Sequence, residues 1–166
     1  MKKIKNQTCC FTGHRIIPEK EYLIIQKRLE KELIELIHQG FRFFSAGGAL
    51  GFDTIAASVV LKLKPEFPHI RLILVLPCKD QIKSWSEKDK KIYNQIQNKA
   101  DKIVYTSEYY YNGCMHKRNR HLIDNSGICI CYLTKDSGGT AYTVNYAKQK
   151  EIKIINIALQ IPSKTP

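Results

Sequence analysis

The sequence predicts a single α/β domain with a mostly parallel sheet and helices on both faces. Short apolar runs typical of buried strands alternate along the whole chain with longer segments of helical periodicity. No linker, repeat or low-complexity tract interrupts this alternation. The 166 residues, 43% of them hydrophobic, are enough to bury one core but few for two independent domains. We therefore treat residues 1–166 as one domain.

Six segments have the apolar and β-branched content of strands. They are residues 8–11, 41–45, 70–76, 102–105, 128–133 and 152–157. The run from Ile70 to Leu76 is continuously apolar, which is typical of a central parallel strand covered on both faces.

Five helices are predicted between these strands from spacings of three and four residues and from terminal signals. They run from Pro18 to a stop at Gly40, from Asp53 to just before Pro65, from a capping box at Ser86 to Ala100, from Met115 to Asp124, and from Thr140 to Lys150. The second of these helices is almost wholly apolar. Burial against the sheet and an interface between two copies explain that composition equally well.

The sequence indicates the cellular compartment of the protein and bears on whether it holds a metal or cofactor. No amino-terminal run is long enough for a signal-peptide core and no later stretch could span a bilayer, so we expect a cytoplasmic protein without membrane contact. The six cysteines are then expected to be reduced, with Cys129 and Cys131 packed in the core. Cys78, Cys114 and His116 match no common zinc spacing, and we predict neither a metal site nor a cofactor.

The formal net charge of +12 predicts attraction to anionic ligands or polyanions without choosing between them. Most of the lysines are scattered along helix-like segments and termini, where a solvated surface is the usual explanation for each.

Three polar or glycine-rich segments follow predicted strands, at residues 12–15, 45–51 and 134–140. The carboxyl ends of parallel strands share one edge of a sheet, and ligands bind there near the point where the strand order reverses. Glycine lets the backbone approach an anion closely, and the amino terminus of a helix offers unpaired N–H groups. Each helix start at this edge is therefore a candidate phosphate site.

Taken singly, these signals have ordinary explanations. Gly47, Gly48 and Gly51 suit any tight turn from a strand to a helix. Arg118 and Asn119 fit a solvent-facing basic turn equally well. In the functional alternative, Arg118 binds a phosphate, Asn119 bonds a ribose or base, and a tyrosine of the run 109–111 stacks on the base. The shared edge strengthens the functional interpretation of the glycine loops.

Four motifs occur in a recognisable order: Thr12-Gly13-His14-Arg15, GGALGFD over residues 47–53, Arg118-Asn119, and Gly138-Gly139-Thr140. Their order resembles the SLOG superfamily, in particular its YpsA-like branch, and the resemblance covers essentially the whole chain. It implies a Rossmann-like fold, a homodimer, and a pocket that binds or senses nucleotide-derived ligands, such as cyclic nucleotides or signals related to NAD or ADP-ribose.

By motif match, the resemblance assigns ligand binding to Gly13, Arg15, Gly47, Gly48, Asp53, Arg118, Asn119, Gly138, Gly139 and Thr140. Asp53 would bond a ribose hydroxyl or cap its helix. If the protein is catalytic, Asp53 is the candidate carboxylate and His14 the candidate proton donor. We expect the Arg118 side chain to be free to reach a phosphate, so that its truncation hardly changes stability. At Gly139 we expect valine to block the anion and to strain a positive φ angle.

Two relatives in the superfamily suggest other functions. LOG enzymes release a base from nucleoside monophosphates and carry a glutamate shortly after a PGGxGT loop, whereas residues 137–143 here read SGGTAYT and lack that acid. DNA-processing protein A has a loop similar to residues 45–53 and binds single-stranded DNA. The net charge agrees with this option, but no regular set of basic and aromatic residues tracks a strand, so we expect only weak, salt-sensitive nucleic-acid binding.

Overall fold

The computed structural model describes residues 2–160. Its strands are β1 (Thr8–Gly13), β2 (Phe43–Ala46), β3 (Arg71–Leu76), β4 (Lys102–Tyr105), β5 (Ile128–Tyr132) and β6 (Lys153–Asn156). They form one sheet in the order β4-β3-β2-β1-β5-β6, and all five pairings are parallel. This confirms the predicted α/β class, and each of the six strands lies where the apolar runs predict it.

The helices are α1 (Lys2–Lys5), α2 (Tyr22–His38), α3 (Phe52–Leu63), α4 (Glu87–Lys99), α5 (Cys114–Asp124) and α6 (Gly139–Gln149). Pro18 precedes a 3-10 turn at Glu19–Glu21, so α2 itself begins only at Tyr22. The capping box at α4 is confirmed, because the Asp89 N–H donates to Ser86 Oγ at 3.2 Å. The four-residue α1 was not predicted, since one turn has no periodicity to detect.

Helices cover both faces of the sheet, and alternate residues of β1 point to different halves of the core. Cys9 and Phe11 pack in the larger half with α2, α3 and α4. Cys10 packs in the smaller half beneath α5 and α6, together with Cys129 and Cys131. The six thiols are free and buried.

The apolar surface of α3 is buried within the chain. Its buried side chains pack in the larger core half against the sheet and α2, and include Phe52, Ile55, Ala56, Val59, Val60 and Leu63. Burial against the sheet therefore accounts for the apolar helix, while a homodimer stays a prediction. No helix within residues 2–160 is both long and apolar enough to cross a bilayer.

Strand β3 differs from the expectation that it is covered on both faces. On the second face of the sheet, α5 contacts β1 and β3, and α6 contacts β1, β5 and β6. A cavity of about 560 Å³ opens near the end of α5 and is lined by Ile73, Val75 and Val104. The apolar run 70–76 therefore has one partly open face, which hydrophobicity alone could not reveal.

The strand order reverses between β1 and β5. From β1 the chain proceeds outward through β2 to β4 on one side and through β5 to β6 on the other. Gly13 and Tyr132 are register partners at the carboxyl ends of β1 and β5. In open parallel sheets the crevice above such a reversal is where ligands bind.

Candidate functional site

A cavity of about 240 Å³ lies at this reversal, between the loop after β1, the loop after β2 and the amino ends of α5 and α6. Eight of the eleven predicted site residues line it: Gly13, His14, Arg15, Asp53, Arg118, Asn119, Gly139 and Thr140. We call it the central cavity. Four motifs that are far apart in the sequence thus meet in one place.

The amino end of α6 opens towards the central cavity. Its N-cap Gly138 has φ of 95°, and no side chain caps the helix. A Cβ at Gly138 or Gly139 would meet no atom within 4 Å, and Gly139 and Thr140 line the cavity. Unpaired N–H groups and the positive end of the helix dipole make such a terminus suitable for an anion.

The positive φ angle that we expected at Gly139 belongs to Gly138 instead. Gly138 has φ of 95° and ψ of −175°, a combination that is available essentially to glycine alone. Gly139 is the first residue of the helix and is not strained. A side chain at Gly139 would therefore fill space in front of the helix without straining the backbone.

The amino end of α3, which we also predicted to be a phosphate site, is closed by the chain itself. The Phe52 N–H donates to the carbonyl oxygen of His14 at 3.1 Å. The Asp53 carboxylate accepts a hydrogen bond from the Ala49 N–H at 3.2 Å and so stabilises the loop that precedes α3. No side chain within residues 2–160 caps α3, so the bond to Ala49 is not the helix cap that we predicted for Asp53, and the backbone of the β1 loop occupies the place of an anion.

Arg118 differs from the free side chain that we expected. It is 4% exposed, and its guanidinium donates through Nη1 to the Gly47 carbonyl oxygen and through Nε to Asn119 Oδ1, the latter at 2.8 Å. A Cβ at Gly47 would lie 2.7 Å from Arg118 Cζ and 2.9 Å from Asp53 Oδ2. Arg118 therefore supports the glycine loop as well as lining the cavity.

Gly48, the second glycine of this loop, faces away from the central cavity. A Cβ there would crowd the side chain of Leu76 and lie 3.4 Å from Tyr93. Gly48 also accepts a 3.5 Å hydrogen bond at its carbonyl oxygen from Gln81 Nε2. We therefore assign Gly48 to the shape of the loop, although the family motif places it among the binding residues.

The charges in the central cavity are unbalanced. Burial raises the pKa of Asp53, and the nearby positive charges of Arg118 and Arg15 oppose that rise only in part. Burial also lowers the pKa of Arg118, and Arg15 lowers it further by repulsion. Two guanidinium groups thus face one buried carboxylate, and an anion beside Arg15 would relieve their repulsion.

Arg15 lies at the junction of three cavities. Its side chain is exposed, and it lines the central cavity as well as one neighbour on each side. One neighbour, of about 450 Å³, contains Glu21, Tyr132 and Lys135. A guanidinium in this position can reach a phosphate without disturbing the core.

His14 acts as a hydrogen-bond acceptor. Its Nε2 accepts from the Thr134 N–H at 2.9 Å, which requires that nitrogen to be unprotonated. Burial, and secondly the charge of Lys135, lower the pKa of His14. The ring therefore fastens the loop after β5 to the loop after β1, and this geometry does not favour the proton donor that we predicted.

The second neighbouring cavity, of about 640 Å³, was not predicted as such, and it contains the indole of the chain's single tryptophan. Arg15 and Met115 border both this cavity and the central one. The other lining residues are Asp80, Gln81, Lys83, Ser84, Trp85 and Tyr110. We call it the aromatic compartment. The loop between β3 and α4 carries no glycine motif, so the sequence signal for this cavity was the tyrosine run 109–111, of which Tyr110 lines it.

Comparison with known proteins is consistent with this architecture. A family model described as the YspA SLOG family matches residues 13–161. A UPF0398 protein of Halalkalibacterium halodurans is 32% identical over 130 residues, which are 76% of this chain and 69% of the relative. The SPbeta prophage-derived protein YoqJ of Bacillus subtilis is 33% identical over 145 residues, 80% of this chain and 81% of YoqJ.

Two solved structures share the fold. DNA processing protein A from Streptococcus pneumoniae superimposes with a TM-score of 0.65 at 15% identity, covering 91% of this chain and half (50%) of that one. The Helicobacter pylori protein of the same name, studied for its single-stranded DNA binding mode, gives 0.63 at 21% identity and covers 92% of this chain and 65% of that one. The sequence matches go beyond the fold: this chain belongs to the YspA SLOG family.

Proposed function

We propose that the protein is a binding or sensing module for a small phosphate-bearing ligand derived from a nucleotide. The observation that carries the proposal is the convergence of the uncapped amino end of α6, through Gly139 and Thr140, with Arg15 in one cavity at the strand reversal. Backbone N–H groups and an exposed guanidinium are complementary to a phosphate in charge and in hydrogen bonding.

The remaining polar groups suit the sugar of such a ligand. Asn119 Oδ1 already accepts from Arg118, so the amide of Asn119 is oriented with its NH₂ group as the available donor. Asn119 and Thr140 line the same cavity as Arg15. A ribose hydroxyl or a second phosphate oxygen is the kind of acceptor that this donor would meet.

Differential thermal unfolding tests the proposal. A ligand at 100 times its dissociation constant adds about 2.7 kcal/mol to the free energy of unfolding, so ADP-ribose, AMP or a cyclic nucleotide should raise the melting temperature. Inorganic phosphate would fill only a fraction of the central cavity and should therefore raise the melting temperature much less. An unmoved melting temperature across a broad nucleotide panel at millimolar concentration would refute the proposal.

A base-releasing hydrolase is the first alternative. Asp53 is the one carboxylate among the described residues that line the central cavity, and it is buried and bonded to the Ala49 N–H. Such chemistry needs a second acidic group or a proton donor near the scissile bond. We expect no release of adenine from AMP in a chromatographic assay, and turnover that Asp53→Asn abolishes would favour the enzyme instead.

Single-stranded DNA is the second alternative, and the net charge of +12 is the observation in its favour. A protein that contacts several phosphates of a strand loses affinity steeply with salt. We expect weak DNA binding that disappears at physiological salt. Tight binding under those conditions would favour the alternative. The homodimer implied by the family resemblance is likewise a proposal, which analytical ultracentrifugation tests.

A further inference from the structure

We infer that the aromatic compartment binds the nucleobase of the ligand and selects bases that carry an exocyclic amino group. The inference rests on the proposed function, because it places the base next to a phosphate held at Arg15 and α6. It adds a second half to the site, built from the loop between β3 and α4 and from Tyr110.

The sizes of the two cavities support a division of the ligand. Pockets for complete small-molecule ligands span about 300–1,000 Å³. The central cavity, at about 240 Å³, is smaller than that range, whereas the aromatic compartment provides about 640 Å³. Arg15 and Met115 border both. A ligand with its phosphate in the central cavity can therefore extend past Arg15 into the compartment.

The walls of the compartment are suited to a flat ring. Trp85 is half-buried and packs edge-on against Tyr93, with centroids 5.5 Å apart at 85°, which fixes the orientation of the indole. Tyr110 lies at the rim with 61% of its surface exposed. Stacking on aromatic side chains is how proteins bind nucleobases without regard to sequence, and a base seated here would cover the exposed tyrosine ring.

Gln81 provides the selectivity. Its Nε2 lies within hydrogen-bond distance of the Gly48 carbonyl oxygen at 3.5 Å and of the Tyr93 hydroxyl at 3.4 Å, and these contacts orient the amide. Its Oε1 is buried and has no partner among the described residues. A buried acceptor without a donor is costly. The exocyclic amino group of adenine or cytosine supplies that donor at the position where hypoxanthine or uracil carries a carbonyl oxygen, which can only accept.

Calorimetric titration with AMP, IMP and ribose 5-phosphate tests the inference on the unmodified protein. AMP and IMP differ in the amino group, and ribose 5-phosphate lacks the base. We expect AMP to bind about tenfold or more tightly than IMP, and ribose 5-phosphate more weakly than either. Equal affinities for AMP and IMP would overturn the selection by Gln81.

Two neighbouring tyrosines provide a matched pair of variants. Tyr110→Ala should weaken AMP binding about tenfold and leave ribose 5-phosphate unaffected. Tyr109→Ala removes a ring that is 74% exposed and does not line the compartment, so it should change neither affinity. Equal effects of the two variants on AMP would overturn the base site. If ribose 5-phosphate binds but AMP binds no better, only this inference fails; if none of the three binds and the broad nucleotide panel also leaves the melting temperature unmoved, the proposed function fails with it.

Discussion

The loops that precede α3 and α6 are both glycine-rich and both follow a strand of the same sheet edge, yet they differ in what covers them. At α3 the Phe52 N–H donates to the carbonyl oxygen of His14, so protein backbone occupies the end of the helix. At α6 the N-cap Gly138 has open space around it. The same local sequence signal therefore marks one loop used for packing and one loop available to a ligand.

Two arginines differ in the same way. Arg118 is buried and donates to Gly47 of the closed loop, whereas Arg15 is exposed where the central cavity meets its neighbours. One guanidinium maintains the site and the other is available to the ligand. Four predictions test this difference, and they are ordered from the largest expected effect to the smallest.

Replacing Arg118 should be the most damaging change. Arg118→Met leaves the buried Asp53 carboxylate without its nearby cation and the Gly47 carbonyl oxygen without a donor, and we expect a loss of about 3–5 kcal/mol in the free energy of unfolding. Urea denaturation measures it. Arg15→Met is the matched control and should change stability by less than about 0.5 kcal/mol. Equal losses of stability for the two variants would contradict the distinction between a structural Arg118 and an Arg15 that is available to the ligand.

Alanine at the two N-cap glycines compares the loops directly. Gly51 and Gly138 have φ of 77° and 95°, so alanine strains the backbone by about 1–3 kcal/mol at either position. At Gly51 the new Cβ would also lie 2.6 Å from the His14 carbonyl oxygen, which adds about 1–3 kcal/mol of overpacking. Gly51→Ala should therefore lower stability more than Gly138→Ala in thermal unfolding. The opposite order would show that the α3 loop is not closed.

Arg15→Ala should affect binding instead of stability. Losing a charge-assisted hydrogen bond costs about 1.5–3 kcal/mol, so the affinity for AMP should fall by roughly 10- to 150-fold in calorimetric titration. Lys148→Ala removes one charge from the exposed side of α6 and should leave affinity within about twofold, since surface charges at a distance are screened. Comparable losses in both variants would mean that the net charge, and not Arg15, attracts the ligand.

Local sequence signals were sufficient for the fold class and for the positions of the six strands and the five longer helices. Helical spacing, strand-like apolar runs and the Ser86 cap act between residues a few positions apart, and such contacts recur in the structure. The burial of Arg118 was not predictable in this way, because its partner Gly47 is 71 positions away in the sequence. Gln81 and Trp85 were missed for the same reason: what makes them candidates is a cavity that only the assembled sheet edge creates.

The smallest predicted effect concerns His14, which joins the open loop to the closed one. Its folded pKa is lowered from 6.5, mainly by burial, so the native state binds fewer protons than the unfolded chain just below that pH. The stability that His14 contributes is therefore complete above about pH 6.5 and falls as the pH drops through the folded pKa. Protonation of Nε2 also breaks the hydrogen bond from the Thr134 N–H.

Hydrogen exchange at the Thr134 amide, corrected for its intrinsic pH dependence, should therefore accelerate as the pH falls below about 6.5, the ordinary histidine pKa. Opening of the loop after β5 becomes easier once the acceptor is lost. In His14→Gln, which keeps a side-chain acceptor but does not titrate, the acceleration should disappear. His69→Gln is the control, because it changes an exposed histidine in the loop before β3, far from Thr134 in the strand order. In this variant the Thr134 amide should exchange as it does in the unmodified protein. Acceleration that persists in His14→Gln would show that protonation of another group opens the loop after β5. The His14 side chain would then not be the residue that connects the two glycine loops.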